Sequence, residues 1–345
     1  MRYISTRGHS EPTDSANAIK KGIAPDGGLY LPDSIPFIDL TFLAEITHLP
    51  YIQRAKKILS LYLTDYDENA LLQCATLAYQ NNFSHQDIAP VRKIDINIYA
   101  LELWHGPTCA FKDMALQIMP HLLTRALRKT GEDKEMVILV ATSGDTGKAA
   151  LEGFKNVPQT SIYVFFPNEG VSELQKMQMT TQEGNNVGVI AVQGNFDDAQ
   201  NGVKQIFGDK DFNDLLWQRG KTLSSANSIN WGRLVPQIVY YISAYADLLG
   251  RKDISLGDEV NIVVPTGNFG NILAAYYAKK MGLPVHRLIC ASNMNNVLSE
   301  FINTGLYNRK REFYKTISPS MDILISSNLE RLLYEVSGKD PEKVA

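Results

Sequence analysis

Residues 136–147 read Met-Val-Ile-Leu-Val-Ala-Thr-Ser-Gly-Asp-Thr-Gly. The first six residues are continuously apolar, which is typical of a short strand covered on both faces, as in a parallel sheet. The next six are small or polar, and they lead into helical spacing that predicts a helix at residues 147–155. A strand, a loop and a helix in this order indicate one unit of an α/β fold.

The same alternation continues through most of the chain. Apolar runs predict further strands at residues 161–166, 187–192, 260–265 and 286–291. Helical spacing predicts further helices at residues 172–183, 196–208, 231–249 and 270–281. The longest of these helices carries a core-facing apolar stripe, formed by Val235, Ile238, Ile242, Ala246 and Leu249. We therefore expect an α/β fold of open, mostly parallel sheets with helices on both faces.

The beginning of the chain follows a different pattern. The sequence Asp-Gly-Gly at residues 26–28 predicts a turn, because paired glycines allow positive φ, and a short strand follows up to Pro32. Helical spacing then recurs at residues 41–48, 51–63 and 67–79. These patterns predict a mainly helical N-terminal region.

Composition excludes several classes of function. The chain has 345 residues, a formal net charge of −3 and a sequence pI of about 6.1. Such a chain has no bulk attraction to nucleic acid or to anionic membranes, so neither is expected as a partner. No apolar run approaches the roughly 20 residues of a membrane span. With 44% hydrophobic and 21% charged residues, the chain is expected to fold as a soluble globular protein of two or three lobes.

The cysteines and the first residues of the chain indicate its cellular compartment. Met1 is followed by polar residues in place of the apolar stretch of a signal peptide. Cys74, Cys109 and Cys290 are odd in number and far apart, which argues against a disulfide framework and a thiolate metal site. The six histidines show no metal-ligand spacing. We expect a cytoplasmic protein without a bound metal.

A lysine with unusual neighbours stands at residue 112. Residues 103–113 read Leu-Trp-His-Gly-Pro-Thr-Cys-Ala-Phe-Lys-Asp. We expect Cys109, Ala110 and Phe111 to shield the Lys112 amine from water. Desolvation disfavours the ammonium form, so a shielded lysine can serve as a nucleophile or a base. The alternative is an ordinary surface lysine at the start of a helix.

The loop at residues 142–147 is a candidate anion site. In open α/β sheets ligands bind beyond the carboxyl ends of strands, and helix N-termini offer free amides to anions. The alternative is an N-cap turn in which the glycines only permit tight packing. A nucleotide P-loop is not indicated, because Thr142 stands at its first glycine position and Ala149 follows Lys148 where Ser or Thr is required.

Two further loops are candidate phosphate sites. Residues 265–271, Pro-Thr-Gly-Asn-Phe-Gly-Asn, follow a predicted strand, and their glycines let backbone amides converge on an anion. Residues 225–233, Ser-Ala-Asn-Ser-Ile-Asn-Trp-Gly-Arg, combine polar donors with Arg233, whose planar guanidinium suits a phosphate. The alternative for the second loop is a polar helix cap with Arg233 exposed. One shielded lysine and three candidate anion sites together are a stronger indication than any of them alone.

The order of these segments resembles that of a known family. Phe-Lys-Asp at 111–113, Ser-Gly-Asp-Thr-Gly at 143–147, the loop from Asn227 to Arg233 and Gly-Asn-Phe-Gly-Asn at 267–271 are similar to segments of the threonine synthases. Those enzymes are pyridoxal-phosphate enzymes of the tryptophan synthase β type. Ile-Ser-Thr-Arg-Gly at 4–8 and Ala-Pro-Asp-Gly-Gly-Leu-Tyr at 24–30 also resemble the N-terminal segment of that family. The resemblance covers essentially the whole chain.

The resemblance implies a role for each segment. Lys112 would hold pyridoxal 5′-phosphate and then move protons as base and acid. The cofactor phosphate would be bound by Gly267, Asn268, Phe269, Gly270 and Asn271. The substrate carboxylate would be bound by Ser143, Gly144 and Thr146, with Asp145 near the ring hydroxyl of the cofactor. The phosphate of O-phosphohomoserine would be bound by Asn227, Ser228 and Arg233.

The implied reaction converts O-phosphohomoserine and water to L-threonine and phosphate. A serine or threonine dehydratase or a cysteine synthase of the same family is an alternative. The loop with Asn227, Ser228 and Arg233 favours the conversion of O-phosphohomoserine, because a dehydratase has no distal substrate phosphate to hold. A truncated, non-catalytic homologue that binds phosphate ligands is the alternative from a different class.

The end of the chain departs from the family pattern. In the family a hydroxyl residue of a Ser/Thr-Ala-Ser-Pro-type segment meets the ring nitrogen of the cofactor, and no such segment occurs before Ala345. Ser-Pro-Ser at 318–320 resembles it only faintly, and we interpret it as a loop within the preceding region. Asp-Pro-Glu at 340–342 has the pattern of a helix start, with an N-cap and a proline at the first position. We therefore expect a chain that lacks the C-terminal segment of the family.

The same patterns predict a division into three parts. Residues 1–95 would form the N-terminal region. Residues 96–134 and 225–345 would form a large cofactor-binding lobe, and residues 135–224 a smaller α/β lobe. The oligomeric state is left open by the sequence.

Overall fold

The computed structural model describes residues 1–142, 144–168 and 171–344. Its N-terminal part pairs two short antiparallel strands, β1 (Tyr3–Ser5) and β2 (Tyr30–Pro32). Four helices surround them: α1 (Ser15–Lys21), α2 (Leu40–Ile46), α3 (Tyr51–Tyr62) and α4 (Glu68–Tyr79). The mainly helical character predicted for this region is confirmed.

A hairpin and two helices connect this part to the sheets. The hairpin pairs β3 (Val91–Asp95) with β4 (Ile98–Leu101) in antiparallel register. After it come the single-turn helix α5 (Asp113–Leu116) and the longer α6 (Met119–Lys129). Both helices are lined by buried apolar residues, so the segment around Lys112 is anchored in the core and not on the surface.

The larger sheet is parallel and four-stranded, in the order β7-β6-β5-β8. Its strands are β5 (Glu135–Ala141), β6 (Thr160–Pro167), β7 (Val187–Val192) and β8 (Lys221–Ser225). The helices that connect them are α7 (Asp145–Phe154), α8 (Glu173–Thr180), α9 (Phe196–Gly208) and α10 (Lys210–Gln218).

Both faces of this sheet are covered. On β5, Met136 and Ile138 belong to the main hydrophobic core, whereas Val137 and Leu139 belong to a second, smaller core. The smaller core is completed by Ala199 and Val203 of α9. Continuous apolar runs are required on such strands because successive side chains point to opposite, equally dry faces.

The smaller sheet pairs β9 (Val260–Pro265) with β10 (Val285–Ala291) in parallel. It packs against α12 (Gly270–Met281), which in turn lies against α11 (Trp231–Gly250), the longest helix. The apolar stripe predicted on this long helix is buried in the main core, apart from its last member, Leu249, which is half-buried. The chain continues through α13 (Val297–Thr304) and α14 (Leu329–Val336).

The α/β fold expected from the sequence is confirmed, with each predicted strand within one residue of its observed bounds. The sequence did not predict β8 or the helices α10, α13 and α14. Strand β8 reads Lys-Thr-Leu-Ser-Ser and has no apolar run. Its C-terminal end makes polar contacts instead, since the hydroxyl of Ser224 donates to the carbonyl of Lys20 at 2.8 Å. The three-part division remains a prediction.

The described residues contain no helix long and apolar enough to cross a membrane. Within the same residues, no cluster of three or more His, Cys, Asp or Glu side chains is arranged to hold a metal ion. Cys74 is buried, Cys290 is half-buried and Cys109 is exposed, and all three are free thiols.

Candidate active site

Lys112 lies at the N-terminal cap of α5 and is 6% exposed. Its Nζ lies 5.4 Å from the centre of the Phe111 ring, so that ring covers the amine as predicted. The expected shielding by Cys109 is wrong, because this residue is exposed and its backbone has a left-handed φ of 56°. The left-handed turn directs the Cys109 side chain away while the chain folds back to bury Lys112. The alternative of a surface lysine is therefore excluded.

The Lys112 amine is paired with the carboxylate of Asp145. Nζ of Lys112 donates a hydrogen bond to Oδ1 of Asp145, and the hydroxyl of Ser320 donates to Oδ2. Burial lowers the pKa of Lys112 below its ordinary value, and the attraction of Asp145 only partly offsets this effect. Burial alone would raise the pKa of Asp145, but Lys112 and Ser320 outweigh it and hold that pKa below its ordinary value. The site thus contains a buried ion pair with a proton donor on each carboxylate oxygen.

The loop before α7 has a backbone that requires glycine. Gly144 has φ 156°, and its N–H donates to Oγ1 of Thr142 at 3.0 Å. The same oxygen accepts the N–H of Gly147 at 2.9 Å, which ties the loop to the first turn of α7. Asp145 is the first residue of that helix, so its carboxylate is placed by the loop and not by α7 alone. Ser143, predicted to bind the substrate carboxylate, lies outside the described residues.

The predicted phosphate loop leads into α12. Phe269 has a left-handed φ of 65°, and α12 begins at the next residue, Gly270. The first amides of a helix have no partner within the helix, so they are available to an anion. Oδ1 of Asn271 accepts hydrogen bonds from the hydroxyls of Tyr240 and Tyr241, the second at 2.7 Å. These tyrosines of α11 orient the Asn271 amide, which the sequence had assigned to phosphate binding.

Arg233 lies in the first turn of α11 and is 5% exposed. Its Nη1 donates to the carbonyl of Ala226 at 3.0 Å, and Nη2 lies 3.5 Å from Oγ1 of Thr146. The alternative of an exposed arginine in a polar cap is therefore wrong. Burial lowers the pKa of Arg233 to about 10, so the guanidinium remains charged at neutral pH. Asn230 caps the helix through its side chain, which accepts the N–H of Gly232 at 2.8 Å.

A pocket joins the lysine, the arginine and the phosphate loop. Its cavity volume is about 30 Å³. Of the predicted residues, its walls include Lys112, Ser228, Arg233 and all of Gly267, Asn268, Phe269, Gly270 and Asn271. Asp145 reaches this pocket through its ion pair with Lys112, and Thr146 lies beside Arg233. Asn227 and Gly144 do not line it.

Sequence reasoning missed one wall of the pocket. Ser320 and Met321 line it, and Ser326 donates its hydroxyl hydrogen to the carbonyl of Gly267. Asn328 binds the same region, since its N–H donates to the carbonyl of Asn268 at 3.1 Å. The faint signal was Ser-Pro-Ser at 318–320, which we interpreted as a loop of the preceding region.

Asp322 organises this wall. Its Oδ1 accepts hydrogen bonds from Nδ2 of Asn293 at 2.7 Å, Nδ2 of Asn295 at 3.1 Å and Oγ1 of Thr316 at 2.7 Å. Its Oδ2 accepts the N–H of Thr316 at 2.9 Å. The buried carboxylate of Asp322, with its four donors, holds the segment in which Ser320 lies beside Asp145. No sequence pattern indicated this network, because its members are separated by up to 29 residues.

These residues fit pyridoxal phosphate. A buried amine is available for its aldehyde, and the N-terminus of the 12-residue helix α12 is available for its phosphate. Glycine at 267 lets this loop pack closely against the wall around Ile323, because a Cβ there would stand 3.0 Å from Cγ1 of Ile323, closer than ordinary contact.

Family comparisons agree with this arrangement. The profile of the family "Threonine synthase N terminus" matches residues 2–79, and that of the family "Pyridoxal-phosphate dependent enzyme" matches residues 85–344. The second match spans well over half of the chain. The fold and the site therefore define a pyridoxal-phosphate-dependent enzyme.

Individual relatives narrow the class. Threonine synthase of Pseudomonas aeruginosa is 43% identical over 345 residues, which is 100% of this chain and 71% of that protein. The crystal structure of a pyridoxal-phosphate-bound threonine synthase from Brucella melitensis superposes with a TM-score of 0.90 at 42% identity, covering 100% of this chain and 71% of the other. The chain belongs to the threonine synthase family.

The match to other relatives is partial in length. "Threonine synthase-like 1" of Pongo abelii is 45% identical over 98% of this chain, but the match covers 48% of that protein. The chain thus spans about half the length of such relatives. The family resemblance expected from the sequence is confirmed, whereas the role of each site residue remains a prediction.

Proposed function

We propose that this protein acts as a threonine synthase, converting O-phosphohomoserine and water to L-threonine and phosphate with pyridoxal phosphate bound at Lys112. The observation that carries the proposal is that two buried cations, Lys112 and Arg233, line one pocket with the N-terminus of α12. Such a pocket offers two separate anion sites, one for the cofactor phosphate and one for a substrate phosphate.

The position of each group of residues in the pocket suggests which part of the cofactor or substrate it would bind. The backbone from Gly267 to Asn271 would bind the cofactor phosphate, and the cofactor supplies an electron sink for charge that develops on the substrate. Asn227, Ser228 and Arg233 would bind the substrate phosphate. Ser143, Gly144 and Thr146 would bind the substrate carboxylate.

Lys112 would move the protons of the reaction. Its amine would take the proton from Cα of the substrate and then one from Cβ, and phosphate would leave Cγ. The same amine would give a proton to Cγ, water would add at Cβ with its proton passing to the released phosphate, and the amine would finally return a proton to Cα. Burial lowers the pKa of Lys112, which makes the neutral, basic amine easier to reach. The carboxylate of Asp145 would form an ion pair with the Lys112 ammonium group between proton transfers. It would also lie near the ring hydroxyl of the cofactor.

The experiment is a product analysis with the purified chain, pyridoxal phosphate and O-phosphohomoserine. We expect equal amounts of inorganic phosphate and threonine, without ammonia or keto acid. Ammonia and a keto acid from serine or threonine would identify a dehydratase, and sulfide-dependent cysteine formation would identify a cysteine synthase. Binding of pyridoxal phosphate without turnover of any of these substrates would identify a non-catalytic homologue.

We also propose a cytoplasmic location. Cys74, Cys109 and Cys290 are free thiols, and one of them is exposed, a state that persists in a reducing compartment. Fractionation of the source cells with an antibody to the chain tests this location.

A further inference from the structure

Arg331 is a buried cation that the proposed reaction does not use. It lies in α14, its side chain is fully buried, and its Cζ lies 5.9 Å from the ring centre of Trp231. Burial lowers the pKa of Arg331 to about 10, so the guanidinium stays charged at neutral pH. Burying a charge is costly unless hydrogen bonds compensate for it, and an apolar side chain would fill the same space at less cost. Packing alone therefore does not explain an arginine at this position.

The partners of Arg331 come from three separate parts of the chain. Nε donates to the carbonyl of Tyr30 at 2.9 Å, Nη2 donates to the carbonyl of Ile229, and Nη1 donates to Oδ1 of Asn328. The planar fork of an arginine holds several acceptors in fixed directions at once. Arg331 thus joins β2, the loop before α11 and the residue that caps α14.

Asn328 extends the contact to the neighbouring residue of the same loop. Its Nδ2 donates to the carbonyl of Ser228 at 3.1 Å, next to the carbonyl of Ile229 that Arg331 holds. Because the peptide unit is planar, a held carbonyl also fixes the direction of the N–H that follows it. Arg331 and Asn328 therefore fix two successive peptide units. The N–H of Asn328 in turn donates to the carbonyl of Asn268, which anchors the pair to the phosphate loop before α12.

The two fixed peptide units lie in the loop from Asn227 to Arg233, to which we assign the substrate phosphate. Ser228 of this loop lines the pocket, and its Oγ lies 3.2 Å from Oγ of Ser327. A binding group must be held close to its productive position, because a displacement of about 1 Å can cost on the order of a hundredfold in rate. The contacts of Arg331 provide such support from outside the pocket.

The N-terminal region braces the same helix. None of the wall residues that the structure describes belongs to residues 4–8 or 24–30, the two N-terminal segments singled out in the sequence. The carbonyl of Tyr30, at the end of the second segment, accepts from Arg331. In the first segment, Oγ1 of Thr6 donates to Oε1 of Glu330 and accepts the N–H of Leu29 at 2.8 Å. Both segments therefore support α14 at residues 330 and 331.

We propose that Arg331 is a positioning residue for the substrate phosphate: together with Asn328, it holds the loop from Asn227 to Arg233 in the geometry that binds an anion. The N-terminal region braces this arrangement through the carbonyl of Tyr30. The inference rests on the function proposed above, because it takes this loop as the site of the substrate phosphate. The cofactor phosphate is assigned to the start of α12, so a change at Arg331 should affect the two phosphates differently.

The test compares wild type with Arg331→Lys, which keeps the charge but cannot hold three acceptors at once. Titration calorimetry of the holoenzyme with inorganic phosphate, which needs no turnover, should show about tenfold weaker binding in the variant. KM for O-phosphohomoserine should rise by a similar factor, with kcat within about twofold of wild type. The affinity for pyridoxal phosphate, measured by absorbance, should change by less than about twofold.

Arg54→Lys is the matched control. Arg54 is 6% exposed, and like Arg331 it donates to backbone carbonyls, those of Ile46, Thr47 and Ser243, besides pairing with Asp247. It lies between α3 and the C-terminal half of α11, so Arg54→Lys should leave phosphate affinity and KM unchanged. Equal weakening of phosphate binding in the two lysine variants would contradict the proposal, because a loosened fold would then explain both.

A second variant keeps the proposal testable if Arg331→Lys does not fold. Asn328→Asp retains an acceptor for Arg331 but loses the donor to the carbonyl of Ser228, so phosphate binding should again weaken several-fold. Unchanged phosphate affinity in the folded variants, or a wild-type holoenzyme that binds no phosphate, would overturn the proposal. A wild type that binds phosphate but forms no threonine would reject the proposed function, whereas weaker binding in Arg331→Lys would still support this inference.

Discussion

The hydroxyl of Ser320 donates a hydrogen bond to Oδ2 of Asp145, 175 residues earlier in the chain. The other oxygen of the same carboxylate accepts from Lys112, so Ser320 supports the ion pair without touching the lysine. This contact makes the segment around residue 320 part of the site, although its sequence suggested only a loop.

The first prediction concerns this contact. In Ser320→Ala, Asp145 loses a donor that lowers its pKa. A hydrogen bond to a charged group contributes about 1.5–3 kcal/mol, so we expect the pKa of Asp145 to rise by about one unit or more. The acid limb of the pH profile of phosphate release should move upward by the same amount. Ser320→Thr keeps a hydroxyl and should restore the wild-type limb; an unchanged limb in Ser320→Ala would contradict the assigned role.

The second prediction concerns Asp322. Asp322→Ala removes the acceptor of four hydrogen bonds from Asn293, Asn295 and Thr316. The amides of Asn293 and Asn295 keep other acceptors, so we expect the free energy of unfolding to fall by roughly 2 kcal/mol. Urea denaturation followed by circular dichroism measures this change. Asp133→Ala is the control, because the Asp133 side chain is 89% exposed, and it should change stability by less than about 0.5 kcal/mol. Similar losses of stability in both variants would show that the hydrogen bonds of Asp322 stabilise the fold no more than an exposed carboxylate does.

The third prediction is a pH dependence of stability. Asp113 is buried, and burial raises its pKa to about 6, above the ordinary value of 3.8, despite hydrogen bonds from Thr108. The folded state therefore holds a proton that the unfolded state releases between about pH 4 and pH 6. The contribution of Asp113 to folding stability is therefore largest below about pH 4, declines between about pH 4 and pH 6, and is constant above pH 6.

The variant Asp113→Asn isolates this contribution. Its amide can still accept the N–H of Thr108 while the hydroxyl of Thr108 rotates to become the acceptor. Relative to wild type, the variant should gain stability between pH 4 and pH 7, by up to roughly 3 kcal/mol. Urea denaturation at half-unit pH intervals measures the difference. A difference that does not vary with pH would contradict the raised pKa.

The fourth prediction concerns Arg233. Arg233→Lys keeps the positive charge but loses the planar fork that suits a phosphate, so we expect KM for O-phosphohomoserine to rise about tenfold. The binding of pyridoxal phosphate, measured by its absorbance, should change little. If the absorbance titration weakens as much as KM rises, Arg233 binds the cofactor phosphate instead.

The fifth prediction concerns Lys112. Lys112→Ala should abolish covalent capture of pyridoxal phosphate by borohydride and reduce phosphate release by at least about a thousandfold, since nucleophile and base are lost together. Peptide mass spectrometry locates the captured group in wild type. Lys148→Ala is the control, because Lys148 lies on α7 next to the site and its amine is bound by Glu152 of the same helix and by Gln182. Capture at Lys112 should persist in that variant.

Local patterns predicted much of the fold. The strands at 136–141 and 260–265 and the helix at 231–249 were predicted closely, because burial on both faces or along one stripe leaves a direct trace in the order of apolar residues. Strand β8 left no such trace, and its position depends on contacts to distant segments, such as Ser224 with Lys20. Helix α14 does carry apolar residues at helical spacing, at Leu329, Leu332, Leu333 and Val336, and our predictions missed this pattern.

The sequence by itself determined the family and the alternation of strands and helices, and it predicted Lys112 and three anion loops as the site, because these depend on residue type and local spacing. Only the tertiary structure decided that Cys109 is exposed, that Arg233 is buried and that Ser320 and Asp322 build a wall of the site. Such facts depend on which distant segments meet. A hydrogen bond such as that between Ser320 and Asp145, 175 positions apart, is set by packing and leaves no periodic signal in the chain.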